Sequence, residues 1–479
     1  MRIRFLFMLL LTAMISSKSP GQKVIVEGEN PEYSGESFRI YTISNPFTGA
    51  TKTLDTLYFD DQGAFRACFE AEPFSWISMN MGALRTILLV EPGNLYRVYL
   101  PPRREITETD KRNPYFEPLR VHLRVKEQRS LPDSNLIKPP SDLNTRIFRF
   151  DTLIFARNKE LMEARRKNKE YHTDSLVQTV EQRYRNDTSG YFERYRHYRY
   201  GLLQINSGDK KLKYLHDQYL RSPVPALANP AYMELFNKMY DKFLFFFART
   251  PAGNNLLRVI NREHNLQALR KNLRNHPAIP SDTIADLVIL KEVKEHFYED
   301  YFYKEALLII LDSLQANPSM PSYTKLARGV HEKLTNLMIG TPPPGFSLSD
   351  RNGISKSLSD FKGKYIYLNF CSPDNYTCMM EYPYLESMYR KHKEYLDIVT
   401  IMIAESHEKM VQFMKRNDYH WETLYFGNDY NLLESYNVRA YPTSYLIGPD
   451  GKLIQSPATL PSEGFEEQLF RIMRTREDL

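Results

Sequence analysis

One stretch near the C-terminal end, residues 365–383, constrains the fold of this 479-residue chain more than any other. It reads YIYLNFCSPDNYTCMMEYP. The apolar, aromatic-rich run Tyr365–Phe370 predicts a buried strand, and a short loop then leads to a helix that begins near Thr377 or Cys378 and ends near Lys393. A helix N-terminus carries partial positive charge and unpaired N–H groups, which stabilise a thiolate. The stretch therefore predicts a strand, a loop and a helix with a cysteine placed for thiol chemistry.

The motif within this stretch resembles that of the thioredoxin-like, TlpA-type thiol–disulfide oxidoreductases of the bacterial envelope, which are related to the AhpC/TSA proteins. Their pattern is a strand, an aromatic loop, C-x-x-C and then E-x-P. Cys378, Glu381 and Pro383 fit the second cysteine, the acid and the proline. Asn375 stands where the family has its first cysteine, so the motif reads N-Y-T-C, and Cys371 replaces a bulky aromatic residue. In this frame the attacking sulfur is missing.

The same stretch also resembles, more loosely, the peroxiredoxin pattern P-x-x-x-T-x-x-C. Pro373 and Thr377 fit that pattern, but its cysteine position holds Met380. Asparagine is a favourable N-cap, so Asn375 can preserve the start of the helix while removing the chemistry. Both resemblances predict a thioredoxin-like fold with a damaged redox motif.

A second loop carries the resemblance further. Tyr441-Pro442-Thr443 matches the cis-proline loop of the family. The resemblance implies a cis X–Pro bond that turns the backbone toward the motif loop, where a substrate strand can pair with it. The predicted binding loop has six members, which are Asn375, Tyr376, Thr377, Tyr441, Pro442 and Thr443.

The chain has three cysteines, too few for a disulfide framework. Cys68 lies in an alternating strand pattern and is predicted to fill a small core position. Cys378 is interpreted first as a buried residue and, as the alternative, as a catalytic thiol acting alone or with Cys371. A disulfide between these two needs Cα atoms within about 7 Å. A strand end and a helix start are expected to point their side chains in different directions, which argues against that pair.

The chain length predicts two or three domains. Residues 1–21 have a basic start, a short apolar run and small residues near the end, which is typical of a secretory signal peptide. Residues 23–125 contain short alternating runs that predict an antiparallel β-sandwich accessory domain. Helical spacing of apolar residues predicts an all-α domain over residues 140–335. A proline linker then leads into an α/β thioredoxin-like domain over residues 338–479.

Composition and motifs exclude several classes of function. The 64 basic and 58 acidic residues give a mixed surface with a formal charge of +6, which argues against nucleic acid as a dedicated partner. The sequence has no P-loop, no G-x-S-x-G and no H-E-x-x-H, so we expect no nucleotide, metal or other cofactor.

Three hypotheses for the function remain. The first is an exported, periplasmic, redox-impaired protein that binds proteins or peptides with thiols or extended segments. The alternative is a thiol–disulfide oxidoreductase of cell redox homeostasis that works through Cys378, alone or with Cys371. The third is a scaffold or ligand-binding role of the β-rich and helical regions. Homo-oligomerisation is left open.

Overall fold

The computed structural model describes residues 23–107, 110, 113, 116–131, 143–167, 169, 173–187, 190–208, 210–299, 301–427 and 429–477. The predicted signal peptide, residues 1–21, lies outside the described residues. Among the helices that are described, none is both long and apolar enough to cross a membrane.

The N-terminal region is built from strands, as its alternating apolar pattern predicts. Nine are described: β1 (Lys23–Glu29), β2 (Ser37–Asn45), β3 (Ala50–Tyr58), β4 (Ala64–Glu70), β5 (Ser75–Met81), β6 (Leu84–Val90), β7 (Asn94–Tyr99), β8 (Leu119–His122) and β9 (Arg124–Ser130). They form a four-stranded sheet in the order β4-β1-β7-β9 and a five-stranded sheet in the order β3-β2-β5-β6-β8. Apolar side chains of both sheets, among them Val24, Val26, Ile40 and Ile77, form one buried cluster.

Two features of this region differ from the sequence-based expectation. The β1–β7 and β6–β8 pairs are parallel, so the sheets are not purely antiparallel. Cys68, predicted to fill a core position, is exposed. Its neighbours Ala67 and Phe69 are buried, because side chains alternate between the faces of a strand and the odd-numbered positions of β4 carry the apolar core residues.

The middle of the chain is helical. Its helices are α1 (Leu143–Arg166), α2 (Thr173–Gln182), α3 (Gly190–Ser207), α4 (Leu212–Leu215), α5 (Pro230–Met239), α6 (Phe243–Phe247), α7 (Leu256–Arg258), α8 (Leu266–Leu273), α9 (Asp282–His296), α10 (Lys304–Ala316) and α11 (Tyr323–Thr335). The apolar pattern predicts one helix over Pro230–Ala248, but the chain breaks between α5 and α6, where Lys242 adopts a left-handed φ of 52°. The spacing of apolar residues does not reveal a single residue in the left-handed conformation, which interrupts the helix.

The helical region and the β-region share buried surface. Phe47 and Leu89 belong to the main hydrophobic cluster of the helices. The Asn144 side chain at the start of α1 accepts a hydrogen bond from the backbone N–H of Leu89 and donates one to its carbonyl, both at 2.9 Å. Buried apolar area and paired buried polar groups therefore hold these two regions together.

The C-terminal domain is an α/β thioredoxin-like unit with its own buried cluster. Its elements are β10 (Ser347–Ser349), β11 (Ser355–Ser357), β12 (Tyr365–Cys371), α12 (Tyr376–His392), β13 (Leu396–Met402), α13 (His407–Arg416), β14 (Glu422–Tyr425), α14 (Tyr430–Ser435), β15 (Thr443–Ile447), β16 (Leu453–Gln455) and α15 (Phe465–Glu477). The main sheet has the order β14-β13-β12-β15-β16, which places β12 at its centre. Strand β12 pairs in parallel with β13 and antiparallel with β15.

One buried ion pair stabilises the helical region. The Arg270 guanidinium on α8 donates two hydrogen bonds to the Asp286 carboxylate on α9, at 2.7 and 2.8 Å. The backbone N–H of Ser319 donates to the same carboxylate at 2.8 Å, and Arg270 also donates to the carbonyl of Asn317. Both side chains of the pair are buried. The pair thus connects α8, α9 and the turn after α10.

We expect Asp286→Ala to destabilise the protein by about 3–5 kcal/mol, because it leaves the Arg270 guanidinium buried without its partner. Urea unfolding followed by far-ultraviolet circular dichroism measures the change. The matched control is Arg157→Ala, which removes a pair with the exposed Glu160 and is expected to cost at most about 0.5 kcal/mol. Equal effects of the two substitutions would contradict the assignment.

Candidate functional site

The centre of the candidate site is the end of β12 and the loop that follows it. All but the first residue of β12 are buried, because the strand has a neighbour on each edge and packed elements on each face. Cys371 is the last residue of β12 and lies at the carboxyl end of this strand, where the chain turns. The backbone N–H of Asn375 donates to the carbonyl of Ser372 at 3.1 Å. The turn brings the chain directly into helix α12.

Asn375 caps this helix, which confirms the predicted N-cap. Its backbone is extended, with φ of −92° and ψ of 125°, and its side-chain oxygen accepts a hydrogen bond from the backbone N–H of Cys378 at 3.1 Å. This contact satisfies one of the unpaired N–H groups of the first turn. Asn375, which stands at the position of the first cysteine of the motif, therefore serves as the N-cap of the helix.

Cys371 and Cys378 form a disulfide, with Cα atoms 5.7 Å apart. The expectation that the strand end and the helix start point these side chains apart is wrong, because the tight turn at Ser372–Asn375 folds the first helical turn back against the strand. Both cysteines are fully buried. The backbone N–H of Ser372 donates to the Cys378 sulfur at 3.3 Å.

The second loop lies at the same end of the sheet. The Tyr441–Pro442 peptide is cis, as the resemblance implies. Strand β15 begins at Thr443, which pairs with Phe370, the residue before Cys371, so the cis-proline loop leads into the sheet at the end of β12 that carries Cys371. Tyr441 is buried, which raises the pKa of its phenol, and its hydroxyl has no hydrogen-bond partner among the described residues. The structure thus brings the two loops together, although they are about 65 residues apart in sequence.

Several exposed apolar side chains follow the capped turn. Tyr376 is 78% exposed, and Met380 and Tyr384 are also exposed. These residues recur every four positions, so they form one stripe on the outer face of α12. Of these three residues, only Tyr376 belongs to the binding loop predicted from the sequence. The i, i+4, i+8 spacing is visible in the sequence, but spacing alone does not say whether a stripe faces the core or the solvent.

The comparisons with known proteins agree with this geometry. Residues 339–456 match the AhpC/TSA family. The thiol-disulfide oxidoreductase ResA of Bacillus cereus is 33% identical over 149 residues, which cover 30% of this chain and 82% of that protein. ResA of Bacillus subtilis is 35% identical over 121 residues, 24% of this chain and 65% of that protein. The chain belongs to the TlpA-type, AhpC/TSA-related family of thiol–disulfide oxidoreductases.

Among solved structures, the chain is similar to the thioredoxin domain of a thiol-disulfide oxidoreductase from Bacteroides vulgatus. It is 26% identical, and the alignment covers 27% of this chain and 95% of that one with a TM-score of 0.26. The chain spans 65% of the length of the Bacillus subtilis ResA and 82% of that of the Bacillus cereus ResA. The family match begins at residue 339, so the β-region and the helical region lie outside it.

Glu381, the acid of the TlpA-type pattern, has a structural partner in this chain. The residue is buried on α12, and its carboxylate accepts hydrogen bonds from the backbone N–H of Ser462 at 3.0 Å and from the Ser462 hydroxyl. Ser462 lies in the turn before α15. The acid therefore connects the motif helix to the C-terminal segment. Pro383 lies inside α12.

One cluster among the described residues has the composition of a metal site. It consists of Glu292, Glu295 and His296 on α9, in the helical region. The Lys291 ammonium contacts both carboxylates, at 3.0 Å for Glu292. The positive charge that a cation would supply is therefore already present, and the cluster is better described as an ion-pair network.

We expect Asn375→Ala to lower the free energy of unfolding of the C-terminal domain by about 1 kcal/mol, because the first turn of α12 loses its cap. Asn375→Asp is the matched control and should retain most of the stability, since aspartate is an equally good N-cap. Urea titrations of the two variants measure the difference. An alanine variant as stable as the aspartate variant would show that the cap does not hold the helix start.

Proposed function

We propose that this chain is an exported, periplasmic protein of the TlpA-type family that has lost the exchange reaction of the motif and binds extended segments of other exported proteins. The observation that carries the proposal is at position 375. The side chain that replaces the attacking cysteine is an asparagine engaged as a helix cap. The sulfurs that remain nearby, those of Cys371 and Cys378, are bonded to each other and buried.

The burial of both sulfurs argues against exchange with protein substrates. A disulfide is opened when a thiolate attacks one of its sulfurs, so the rate depends on access to that sulfur. In a C-x-x-C motif the first cysteine supplies that access. Here Asn375 and Tyr376 occupy the accessible positions, and neither can carry a mixed disulfide. The bond between Cys371 and Cys378 is therefore suited to holding the turn between β12 and α12.

The two loops retain features that suit peptide binding. Tyr376 and Met380 present apolar area to solvent beside the capped turn, and Pro442 directly precedes Thr443, which pairs with Phe370 at the same end of the sheet. The hydroxyl of Tyr441 is buried beside this loop and has no hydrogen-bond partner among the described residues. Among proteins that bind extended peptides, backbone pairing supplies affinity and side-chain pockets supply specificity. The proposed binding loop comprises Asn375, Tyr376, Thr377, Tyr441, Pro442 and Thr443.

A second candidate function is thiol–disulfide exchange through Cys378, alone or with Cys371. The observation in its favour is the Cα separation of 5.7 Å, which lies within the range of disulfides and allows the pair to cycle between thiol and disulfide. This reaction needs the loop to open, so that an outside thiolate can reach one sulfur.

We also propose the division of the chain that the sequence suggests, with a β-sandwich accessory domain over residues 23–125, a helical domain over 140–335 and the thioredoxin-like domain over 338–479. Because β9 ends at Ser130, we extend the first of these domains to residue 130. The two N-terminal sheets support the sandwich assignment because they contribute to one buried cluster. Export is supported by the character of residues 1–21.

The redox assignment is tested by equilibrating the protein in glutathione buffers from reducing to oxidising, alkylating free thiols and weighing the product. We expect the Cys371–Cys378 bond to persist across the range without a glutathione adduct, because neither sulfur is accessible. The positive control is the double variant Asn375→Cys with Cys371→Ala, which restores C-x-x-C at 375–378 and should titrate at a defined potential. If the unmodified pair takes up two hydrogens at a defined potential, exchange is the function and the redox-impaired proposal fails.

The binding assignment is tested with a labelled, unfolded and fully carboxymethylated protein, which offers extended segments without thiols. We expect Tyr376→Ser to weaken its binding about fivefold, because the exposed ring supplies apolar contact area in the proposed binding loop. Fluorescence anisotropy measures the affinity. Tyr58→Ser is the matched control, since Tyr58 is 72% exposed on β3 in the N-terminal region and should have no effect. Equal affinities of the two variants would overturn the assignment of the binding loop.

A further inference from the structure

The five-stranded sheet of the β-region carries a row of arginines across its strands. Asn80 on β5 pairs with Arg85 on β6, and Arg85 pairs with Arg120 on β8. The β2–β5 register, continued by one residue beyond Ile40 and Met79, places Arg39 opposite Asn80. Arg39, Asn80, Arg85 and Arg120 therefore form one row on a single face of the sheet, with neighbouring strands about 4.8 Å apart.

This row brings positive charges together without opposite charge. Arg85 and Arg120 are directly paired neighbours, and like charges in that position destabilise a sheet. Among the described residues, no carboxylate forms an ion pair with Arg39, Arg85 or Arg120, and Arg85 donates only to the Asn80 amide oxygen, at 3.3 Å. Arg39 and Arg120 are exposed, and Arg85 is half-buried. Within the described part of the chain, the three arginines therefore have no carboxylate partner.

The arginine row lines a large cleft that is open to solvent. The cleft has a volume of about 2460 Å³ and is lined by the β-region, by helices of the middle region and by the thioredoxin-like domain. The next row on the same face contributes Tyr41 and His122, and Trp76 lies beyond them. The floor of the cleft thus combines guanidinium groups with aromatic side chains.

Several acids of the cleft wall are already paired with other cations. Arg199 contacts Asp151 at 3.1 Å and Glu234 at 2.6 Å. Arg103 contacts Glu36 at 3.0 Å, and Lys333 contacts Glu434 at 3.2 Å. These acids already form ion pairs with cations of the cleft wall, whereas the guanidinium groups of the arginine row form no ion pair with a described carboxylate and can bind a ligand. An Arg guanidinium binds carboxylates through two parallel hydrogen bonds, so a row of three fits a ligand that carries repeated carboxylates.

We propose that the arginine row binds an acidic polypeptide segment, with glutamate or aspartate side chains directed at Arg39, Arg85 and Arg120. The evidence for an anion-binding site is the arginine row itself. The choice of a polypeptide rests on the proposed function, because the cleft wall includes Val438 and Arg439, which lie within four residues of Pro442 in the binding loop. A segment bound at that loop can continue along the cleft to the sheet.

The test uses a fluorescein-labelled ten-residue peptide of alternating glutamate and serine, whose carboxylates lie on one side when the peptide is extended. Fluorescence anisotropy with the full chain should show saturable binding that weakens at high salt, and the same peptide with glutamine in place of glutamate should not bind. Arg85→Gln and Arg120→Gln should each weaken binding about fivefold, and the double variant more strongly. Arg124→Gln on β9, outside the cleft lining, is the matched control and should bind normally.

Thermal unfolding separates a binding role from a structural one. Arg120→Gln should not lower the melting temperature, because it removes a repulsion from Arg85. Three results would overturn the proposal: equal affinity of the double variant and Arg124→Gln, tight binding of the glutamine peptide, or tighter binding of an oligogalacturonate than of the acidic peptide. Failure of the proposed function is distinguishable, since Tyr376→Ser would then leave the binding of unfolded protein unchanged while the arginine dependence of the acidic peptide persists.

Discussion

The burial of strand β12 between two neighbours is the constraint on which the candidate site depends. Because β13 pairs with one edge and β15 with the other, the strand cannot shift without exposing apolar side chains and unpaired backbone groups. The fixed register of β12 determines the position of Cys371 at the end of the strand and the position of the second loop, whose Thr443 pairs with Phe370. The loop pair is therefore a consequence of strand pairing, and it persists whether or not a nucleophile is present.

Asn375 shows how the structural and chemical roles of a motif can separate. In the motif of the family, the first cysteine occupies the N-terminal end of a helix, where the unpaired N–H groups can stabilise its thiolate. Asparagine satisfies the same N–H groups with a neutral amide oxygen. The helix start is thus preserved without a thiol. The disulfide between Cys371 and Cys378 joins the strand to the first helical turn on the buried side of the helix. Tyr376 and Met380 lie on its exposed side.

The sequence was informative where a local rule determines the structure. The apolar run of β12 and the cap at Asn375 each follow from a short pattern, whereas the cis bond at Pro442 is what the family resemblance implies, and the structure confirms all three. The disulfide was missed because side-chain direction depends on how tightly the loop turns, and apolar periodicity does not contain that information. The exposure of Cys68 was missed although the pattern contains it, since Cys68 shares its face of β4 with the charged residues Arg66 and Glu70.

The arginine row depends on pairing between residues that are far apart in sequence, and no local pattern contains it. Arg39, Arg85 and Arg120 become neighbours only once the strand order β2-β5-β6-β8 and its register are fixed. Each arginine alone is an ordinary solvent-facing residue of an alternating strand. Their common face is a tertiary property, as is the cleft that the row lines.

The walls of that cleft are held with unequal strength. Buried apolar residues such as Phe47 and Leu89, together with the two hydrogen bonds of Asn144, join the β-region to the helices. The contacts between the helices and the thioredoxin-like domain include the exposed ion pair of Lys333 with Glu434 and a hydrogen bond from Asn336 to the carbonyl of Ser435. Exposed ion pairs contribute up to about 1 kcal/mol, whereas each large buried apolar side chain contributes about 1.5–3 kcal/mol. The interface between the β-region and the helices is therefore more stable than the interface between the helices and the thioredoxin-like domain. A ligand that contacts both the arginine row and the binding loop would add its own contacts across the weaker of these interfaces.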